Sequence, residues 1–349
     1  MRGDGMGERS ARRLRVLQSF KEPGPRTNPY ITQLRDALVE AGVDPVPFSW
    51  RIAILGRYDV FHAHWPEALI ERRRLLSTWV RWALYGAFLA RLALFRIPVV
   101  STVHNLELPA GISPIERALL KATQRLTRIR IVLNEFTPVP AGAESVLIEH
   151  GHYRDWFAPF ERSDLRPGRM LFFGKVRRYK NVESLIRAFR DLTHTDERSL
   201  HVLGSPSSDD LSHSLVTLAA DDPRVSLSLT FASDDALVKA ISAAELVVLP
   251  YSEMHNSGSV LAALSLDRPV LVPDNAFNRA LADEVGHEWV LRYSGTISAD
   301  DLTAALVAAR ARDSSSRPDL GRRGWTDAGR RHRDAYAKAC EAGSGRRRG

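Results

Sequence analysis

The chain has 349 residues, of which 44% are apolar and 26% charged, so it can form two hydrophobic cores of ordinary composition. Its only cysteine, Cys340, excludes an internal disulfide and a zinc site built from several thiolates, and it favours a cytoplasmic protein. The net charge of +8 suits nucleic acid, anionic lipid or phosphate-bearing substrates, and its sign does not choose among them. No apolar stretch precedes the first strand-like segment, so the sequence does not predict a secretory signal.

Short apolar runs typical of buried strands alternate with helical patterns along most of the chain. One series begins at Leu14, and a second begins after the polar segment at residues 161–168. Strands separated by helices indicate parallel sheets with right-handed crossovers. We therefore predict an α/β fold of two Rossmann-like, doubly wound domains over residues 1–162 and 163–316, with a C-terminal helix and a disordered basic tail over residues 317–349.

The loop at residues 22–30 joins the first predicted strand to the first predicted helix. Gly24 permits a close approach of the backbone to the phosphates of a ligand, while Asn28 and Tyr30 are candidates for further ligand contacts. The alternative is a stiff loop in which Asn28 is a turn residue. The residues alone favour neither interpretation.

Two predicted strands of the first half end in histidines. His62 and His64 lie on the same face of one strand, and His62 lies deeper in the sheet, so we predict that it is a core residue with satisfied hydrogen bonds. His64 and His104 end their strands, where the following loops would expose them. An imidazole at such a position can donate a hydrogen bond to a phosphate or a sugar near neutral pH.

The segment at residues 75–100 is apolar, but Arg81, Arg91 and Arg96 interrupt it. A spanning helix needs about 20 apolar residues, so we do not expect this one to cross a bilayer. Its tryptophans and arginines suit an amphipathic helix that lies on an anionic membrane surface. An ordinary domain helix that buries its apolar stripe against its own sheet explains the pattern equally well, and one helix can do both.

A basic loop follows the buried strand that ends at Gly174 in the second half. Lys175, Arg177 and Lys180 would therefore lie at the carboxyl edge of a parallel sheet, where open α/β sheets bind ligands. They can converge on a diphosphate together with the N–H groups of the next helix. Solvated surface charge is the alternative for such a loop.

A second loop follows the buried strand LVVLP and leads into another helix. A phosphate could approach the backbone N–H groups of Ser257, Gly258 and Ser259 closely. Asn256, which precedes them, is a further candidate for a contact with the same ligand. Glu253 places a carboxylate where sugar hydroxyls would lie. A capped helix with a surface glutamate is the alternative.

Together these loops resemble the donor site of the GT-B glycosyltransferases, in particular the family 4 group. Gly174 to Lys180 keeps the spacing of that group's Gly-Arg-x-x-x-x-Lys loop, with a lysine in place of the arginine. The group also carries two glutamates separated by seven residues; Glu253 matches the first, but Leu261 stands at the second, so recognition of the ribose must differ. His104 matches the histidine of the group's Thr-x-His element, which lies beside the donor sugar and phosphate.

The resemblance covers residues 16–310 and implies two domains that face a cleft, with a nucleotide sugar bound by the second. Short shared segments make it most similar to the xanthan-type β-mannosyltransferases that use GDP-mannose. These segments are residues 64–67, 151–157, 179–181 and 256–259. The resemblance therefore implies transfer of a hexosyl group, with mannose from GDP-mannose as the best match, to a glycan or glycolipid acceptor. Trp65 joins Asn28 and Tyr30 as a candidate acceptor contact.

The identity of a catalytic base depends on the stereochemistry. An inverting transfer needs a base within hydrogen-bond reach of the acceptor, and Glu67 and Glu107 are the carboxylate candidates beside His64 and His104. A retaining transfer can use the departing phosphate, and the sequence does not decide between the two. No Asp-x-Asp motif is present, and positive residues can neutralise the leaving diphosphate, so we expect neither a metal nor a cofactor besides the nucleotide-sugar substrate.

The expected partners are a nucleotide-sugar donor, a glycan or lipid-linked glycan acceptor and an anionic membrane surface, without nucleic acid, because no nucleic-acid-binding motif is recognisable. The expected location is the cytoplasm, with peripheral attachment to the inner membrane face. Two other functions stay open. One is a nucleotide-sugar epimerase on the same fold, which would convert the donor alone; the other is a non-catalytic protein that binds membrane or nucleic acid.

Overall fold

The computed structural model describes residues 12–24, 27–71, 75–105, 108, 111–193, 197–313 and 315–344. These residues form two compact units. The first unit lies within Met1–Ile148 and Trp325–Gly349, and the second unit lies within Glu149–Gly324. Each unit has its own parallel sheet, covered by helices and apolar side chains, as the alternation of strands and helices predicts.

The boundary between the units lies earlier in the chain than the predicted one at residue 162. The short helix Arg154–Phe157 belongs to the second unit, because Tyr153 and Phe157 are buried in its core. The backbone N–H of Tyr153 also donates a hydrogen bond to Ser265 Oγ over 2.8 Å. The polar segment on which the prediction rested is an exposed loop of the second unit.

The C-terminal helix, Trp325–Ser344, belongs to the first unit. The prediction of a separate C-terminal segment is therefore wrong for this helix. A Cβ added at Gly329 would collide with the carbonyl oxygen of Ala37, so the glycine allows the close approach of this helix to the first one. Tyr336 is buried in the core of the first unit. Periodicity predicts the helix but not the sheet on which it packs. The predicted tail at residues 345–349 lies outside the described residues.

The sheet of the first unit is formed by β1 (Arg15–Gln18), β2 (Asp44–Val46), β3 (Val60–Ala63), β4 (Val99–Val103), β5 (Thr127–Val132) and β6 (Glu144–Leu147). These six strands are parallel and lie in the order β2-β1-β3-β4-β5-β6. The chain passes from β1 to β2 on one side and then to β3 on the other, so the topological switch point lies between β1 and β3.

The sheet of the second unit is formed by β7 (Arg169–Phe173), β8 (Ser199–Leu203), β9 (Val225–Ser228), β10 (Leu246–Val248), β11 (Val270–Pro273) and β12 (Val290–Tyr293). Its six parallel strands lie in the order β12-β11-β10-β7-β8-β9, which places its switch point between β7 and β10. The central strands are continuous apolar runs because helices cover both faces of the sheet.

Most helices begin where the sequence offers a side-chain cap. Ser113 and Glu116 form a capping box at the start of one helix, and Ser298 and Asp301 form another. The helices are α1 (Pro29–Glu40), α2 (Trp50–Leu55), α3 (Glu67–Ile70), α4 (Leu75–Leu94), α5 (Pro114–Leu126), α6 (Arg154–Phe157), α7 (Val182–Arg190), α8 (Asp209–Ala219), α9 (Asp234–Ala243), α10 (Gly258–Ser265), α11 (Ala276–Val285), α12 (Ala299–Ala311) and α13 (Trp325–Ser344), with short 3₁₀ turns at Arg178–Lys180 and Gly321–Arg323.

Helix α4 packs one of its faces within the first unit. Tyr85, Phe88 and Leu92 on that face are buried, and the Trp82 indole donates a hydrogen bond to the Ile70 carbonyl oxygen over 3.2 Å. The interpretation as a domain helix therefore holds for this face. Among the helices of the described ranges, none combines the length and the apolar character needed to cross a membrane.

Candidate active site

Polar side chains gather at the carboxyl ends of β1, β3 and β4 in the first unit. Gln18 ends β1, His64 follows β3 and His104 follows β4. Because the strands are parallel neighbours, the three side chains meet. His64 Nε2 lies 3.1 Å from Gln18 Oε1, and His64 Nδ1 lies 3.4 Å from His104 Nε2.

His64 is buried, although its place at a strand end predicts exposure. Only 3% of its surface is accessible, its backbone N–H donates to Ser19 Oγ over 2.8 Å, and its ring packs on Phe20. Burial lowers the pKa of His64 well below its usual range, and the neighbouring histidines act in the same direction. His64 is therefore neutral near pH 7, and protein groups engage both of its ring nitrogens.

His62 is the core histidine that the strand periodicity predicts. It is fully buried, with Nδ1 2.7 Å from Tyr336 Oη and Nε2 2.8 Å from Thr102 Oγ1. Burial lowers its pKa well below the usual range. One of its two partners comes from α13, which is remote in sequence.

Aromatic rings surround His104. Trp65, which is half-buried, stacks on the imidazole with ring centroids 4.0 Å apart and 18° between the planes. Tyr30 presents its ring edge to His104 at 5.4 Å and also packs on Trp325. Tyr30 is 2% exposed, so the predicted contact with an acceptor is not available to it. The packing of α1 against α13 covers Tyr30, and its ring instead holds His104 and Trp65 in place.

A cavity of about 250 Å³ lies beside these histidines in the first unit, and His104, Thr102 and Glu67 are among its walls. Glu67 is the first residue of α3 and is half-buried. Burial raises the pKa of its carboxyl above the ordinary value. A carboxylate with a raised pKa in a polar cavity is suited to act as a base. The other predicted base, Glu107, lies outside the described residues.

The loop before α1 presents Gly24 and Asn28 at the surface of the first unit. No described atom lies within 4 Å of a Cβ added at Gly24, so a ligand can approach its backbone. Asn28 caps α1, because its Oδ1 accepts a hydrogen bond from Tyr30 N–H over 3.1 Å. Its predicted acceptor contact remains a prediction.

Lys180 is a buried cation beside the carboxyl end of β7 in the second unit. It is 8% exposed, and its Nζ lies 4.7 Å from the ring centroid of Tyr251. Burial, assisted by the charge of Arg177, lowers its pKa to about 8. No carboxylate of the described residues contacts Nζ. A buried charge without a partner is costly, so this position is suited to bind an anion.

The two loops that the sequence indicates meet above Gly174, at the switch point between β7 and β10. Gly174 has a φ of +101°, and a Cβ added there would lie 3.5 Å from both Lys180 Nζ and Ser259 Oγ. The Tyr251 hydroxyl donates a hydrogen bond to Ser259 Oγ over 3.4 Å. A cation and a hydroxyl from separate loops thus face the same small space.

Lys175 and Arg177 do not share this buried position. Both are exposed, because side chains alternate along the extended segment and Val176 between them points into the core. Of the three predicted cations, Lys180 alone is buried, and the diphosphate contacts of Lys175 and Arg177 remain a prediction. Arg177 is still near enough to lower the pKa of Lys180.

Helix α10 begins at the second loop. Ser257 caps it by accepting a hydrogen bond from Val260 N–H over 3.4 Å, and the other N–H groups of the first turn have no partner within the helix. A Cβ added at Gly258 would lie 3.0 Å from Tyr153 Oη and 3.5 Å from His150 Nε2, so only glycine fits there without movement. The helix start therefore offers backbone donors close to Ser259.

Glu253 is exposed and Asn256 is half-buried in the loop before α10. The exposed carboxylate is open to a ligand, and its predicted contact with sugar hydroxyls remains a prediction, as does the donor contact of Asn256. Leu261 is buried in the core of the second unit, so it contributes no polar group where the family 4 enzymes have their second glutamate.

The sequence analysis did not identify several residues that lie at these sites. Tyr251 lies in the loop that the sequence singles out, and its place directly after a buried strand is a usable signal. Gln18 and Tyr336 have no such signal, because β1 and α13 bring them to the histidines only through tertiary packing.

In the part of the chain that the structure describes, no group of three or more histidine, cysteine, aspartate or glutamate side chains could hold a metal ion. A reaction without metal or cofactor remains a prediction.

Comparison of the sequence with known proteins gives two concordant results. The profile of a family described as "Glycosyl transferases group 1" matches residues 167–310. Two proteins of Xanthomonas campestris pv. campestris, each named GDP-mannose:glycolipid 4-beta-D-mannosyltransferase, are 45% and 44% identical to this chain over 332 residues. The match covers 95% of this chain and 94% of each relative.

Solved structures with similar folds have much lower sequence identity. Anabaena HepE in complex with UDP-glucose has a TM-score of 0.58 at 12% identity, covering 95% of this chain and 98% of that one. Sucrose-phosphate synthase from Thermosynechococcus elongatus has a TM-score of 0.55 at 16% identity, covering 96% and 98%. At these identities the similarity concerns the fold alone.

Proposed function

Because the chain belongs to the group 1 glycosyltransferases, in the same family as the two Xanthomonas mannosyltransferases, we propose that it transfers mannose from GDP-mannose to a glycolipid in β-linkage. Both relatives are named for this donor and this class of acceptor. The observation that carries the proposal is Lys180, a buried cation with no carboxylate partner among the described residues at the switch point of the second unit.

The diphosphate of the donor binds where Lys180, Ser259 and the first turn of α10 meet. A charged hydrogen bond from Nζ is strong there because little water competes with it. The helix start adds N–H donors and the positive end of its dipole. An anion beside Lys180 raises its pKa from about 8, because opposite charge favours the ammonium form. These groups neutralise the leaving diphosphate, which is the task of a metal ion in other transferases.

The hydroxyl groups of the donor mannose are assigned to Glu253. Its carboxylate lies in the same loop as the capped start of α10 and is open to solvent. A carboxylate accepts hydrogen bonds from two neighbouring hydroxyls, and it discriminates between sugars by the positions of those hydroxyls.

The β-linkage of the product requires inversion, because the mannose of GDP-mannose is α-linked. In a single displacement the acceptor oxygen forms a bond to the anomeric carbon, the bond from that carbon to the diphosphate oxygen breaks, and its electron pair leaves with GDP. The proton of the acceptor hydroxyl passes to a base. We assign this role to Glu67, because it lines the cavity and burial raises the pKa of its carboxyl.

The terminal sugar of the acceptor is assigned to the cavity of the first unit. Trp65 is half-buried and stacks on His104, so one ring face is supported by the protein. The apolar face of a sugar ring packs well on such an aromatic surface. His104, which lines the cavity, is assigned to hydrogen bonds with the reacting groups.

The exposed face of α4 is assigned to the membrane that carries the glycolipid. From Trp79 to Phe95 its exposed residues are Trp79, Val80, Ala83, Ala87, Ala90, Ala93, Leu94 and Phe95. The half-exposed Arg81 and Arg91 lie beside this face, and Arg96 is the first charged residue after Trp79 that is exposed. A helix in contact with water carries polar residues on its outer face, so an apolar outer face favours burial at a lipid interface.

Nucleotide binding and label transfer test the proposal with the full-length protein. We expect GDP and GDP-mannose to raise the melting temperature and to bind in calorimetry, and UDP-glucose to bind more weakly. We also expect mannose labelled in GDP-mannose to appear in lipids extracted with organic solvent when a glycolipid extract is supplied as acceptor. Absence of GDP binding would refute the donor assignment. Conversion of the mannose without any acceptor would favour an epimerase instead.

A further inference from the structure

Buried polar side chains link the core of the first unit to His104. Tyr336 Oη lies 2.7 Å from His62 Nδ1, Gln18 Oε1 lies 3.1 Å from His64 Nε2, and His64 Nδ1 lies 3.4 Å from His104 Nε2. Tyr336, His62 and Gln18 are fully buried. The Gln18 amide also lies beside the Tyr336 hydroxyl. Burial raises the pKa of that hydroxyl, and the amide partly opposes this rise. The Gln18 nitrogen itself has no partner in hydrogen-bond geometry.

The orientation of the Gln18 amide decides where the protons lie along these contacts. A neutral imidazole donates from one nitrogen and accepts at the other. The Gln18 oxygen faces His64 and can only accept, so the proton of His64 lies on Nε2 and its Nδ1 has a lone pair. That lone pair accepts a hydrogen bond from His104, which therefore carries a proton on Nε2.

The opposite orientation of the amide would give the opposite pattern. The Gln18 nitrogen would then donate to His64 Nε2, and His64 would present Nδ1–H towards His104. The side chains beside Gln18 therefore determine which nitrogen of His104 is protonated. The Tyr336 hydroxyl lies beside this amide and contacts His62 Nδ1 over 2.7 Å.

We propose that Gln18 and Tyr336 are positioning residues that hold His64 as the Nε2–H tautomer and thereby keep a proton on Nε2 of His104. Both are fully buried and act on the cavity through the histidines. The task of His104 in transfer rests on the proposed function, whereas the tautomer of His64 does not.

Titratable groups surround His64 on several elements. They are His62 on β3, His104 after β4, Tyr30 on α1, Glu67 on α3, and His332 and Tyr336 on α13. Burial lowers the pKa of His62 and His64 well below the usual range and that of His332 to about 4. The buried histidines therefore stay neutral at pH 7, where the tautomer is defined.

Long-range ¹H–¹⁵N correlation spectra of the full-length protein with labelled histidines test the tautomer. We expect His64, identified by its loss in His64→Gln, to be protonated on Nε2. Gln18→Leu removes the acceptor and should release the Nδ1–H form, whereas Gln18→Glu keeps an acceptor and should keep the wild-type tautomer. Protonation of wild-type His64 on Nδ1, or an unchanged spectrum in Gln18→Leu, would overturn the proposal whether or not the protein transfers mannose.

Kinetics of Tyr336→Phe provide the second test. The matched control is Tyr58→Phe, because the Tyr58 hydroxyl is also buried in the first unit but contacts Ala53 and Arg91 and no histidine. We expect Tyr336→Phe to lower kcat about tenfold and to alter the pH profile of kcat/KM, with the KM for GDP-mannose unchanged. Tyr58→Phe should lower the melting temperature without changing kcat or the pH profile of kcat/KM. If both variants keep the wild-type kcat and pH profile, Tyr336 has a structural role only.

Discussion

The two sheets of this protein share a topology but end in different side chains. Each has six parallel strands, and each gathers its polar residues at a switch point. In the first unit these residues are buried histidines among aromatic rings, and in the second unit they are a buried lysine and a helix start. The fold therefore provides the place, and the side chains decide the chemistry.

The same physical effect leaves one site neutral and the other positively charged. Burial lowers the pKa of His64 and of Lys180 alike. Because an imidazole titrates near 6.5 in water and an amine near 10.4, the histidine becomes neutral at pH 7 while the lysine, with a pKa of about 8, stays mostly charged. The first site is thus suited to hold protons in defined places, and the second is suited to bind an anion.

The largest expected effect tests the chemistry assigned to the first unit. Glu67→Gln should lower kcat by about 10²–10⁴-fold and leave GDP affinity unchanged, because only the base is lost. Activity of the wild type should fall as the pH drops through the raised pKa of Glu67, since protonation removes the base. Steady-state kinetics and calorimetry check both points. Glu71→Gln, at the exposed end of α3, is the matched control and should behave as wild type.

The next effect tests anion binding by the second unit. Lys180→Met keeps the length of the side chain and removes its charge, and it should weaken GDP binding about 10–100-fold, because a charged hydrogen bond contributes about 1.5–3 kcal/mol. Calorimetry with GDP measures the change. Lys239→Met provides the control, because 42% of the Lys239 side chain on α9 is exposed and its Nζ pairs with Asp235. Equal GDP affinity in the two variants would show that Lys180 does not contact the diphosphate.

A smaller effect concerns stability at acid pH. His332 has a pKa of about 4 in the folded protein, whereas an unfolded histidine titrates near 6.5, so the unfolded state binds more protons between these values. Its contribution is complete above pH 6.5 and is lost as the pH falls, by about 2 kcal/mol at pH 5. Chemical denaturation at pH 7.5 and pH 5 should show a smaller loss in His332→Gln than in wild type. His287→Gln, which changes an exposed histidine, should keep the full loss.

The smallest effect concerns the assignment of the membrane contact to the first unit. Trp79 is 61% exposed on α4, and Leu94 lies on the same apolar face. Trp79→Ser with Leu94→Ser should weaken co-sedimentation with anionic vesicles about tenfold, because the two side chains together contribute apolar burial of about 1–2 kcal/mol at an interface. Val216→Ser, on the exposed surface of α8 in the second unit, should have no effect. Equal sedimentation of all three proteins would refute the membrane assignment.

The alternation of strands and helices predicts two Rossmann-like units, and the fold class and its GT-B resemblance are confirmed. Local sequence also indicates the loops after β7 and β10, because parallel strands must end at one edge of a sheet. The membership in the glycosyltransferases follows from the same short segments and is confirmed.

Tertiary packing decided what the local patterns leave open. The sequence predicts α13 but not that it packs on α1, and this contact buries Tyr30 and supplies Tyr336 to His62. Of the three cations that the sequence singles out in one loop, only Lys180 is buried, because the pleat of the segment around Val176 turns Lys175 and Arg177 to solvent. Periodicity and spacing act over a few residues, whereas burial depends on which distant segments cover a side chain. Composition and motifs therefore determined the fold and the class of chemistry. The packing of α13 and of the two loops decided which histidines are neutral and which lysine can bind an anion.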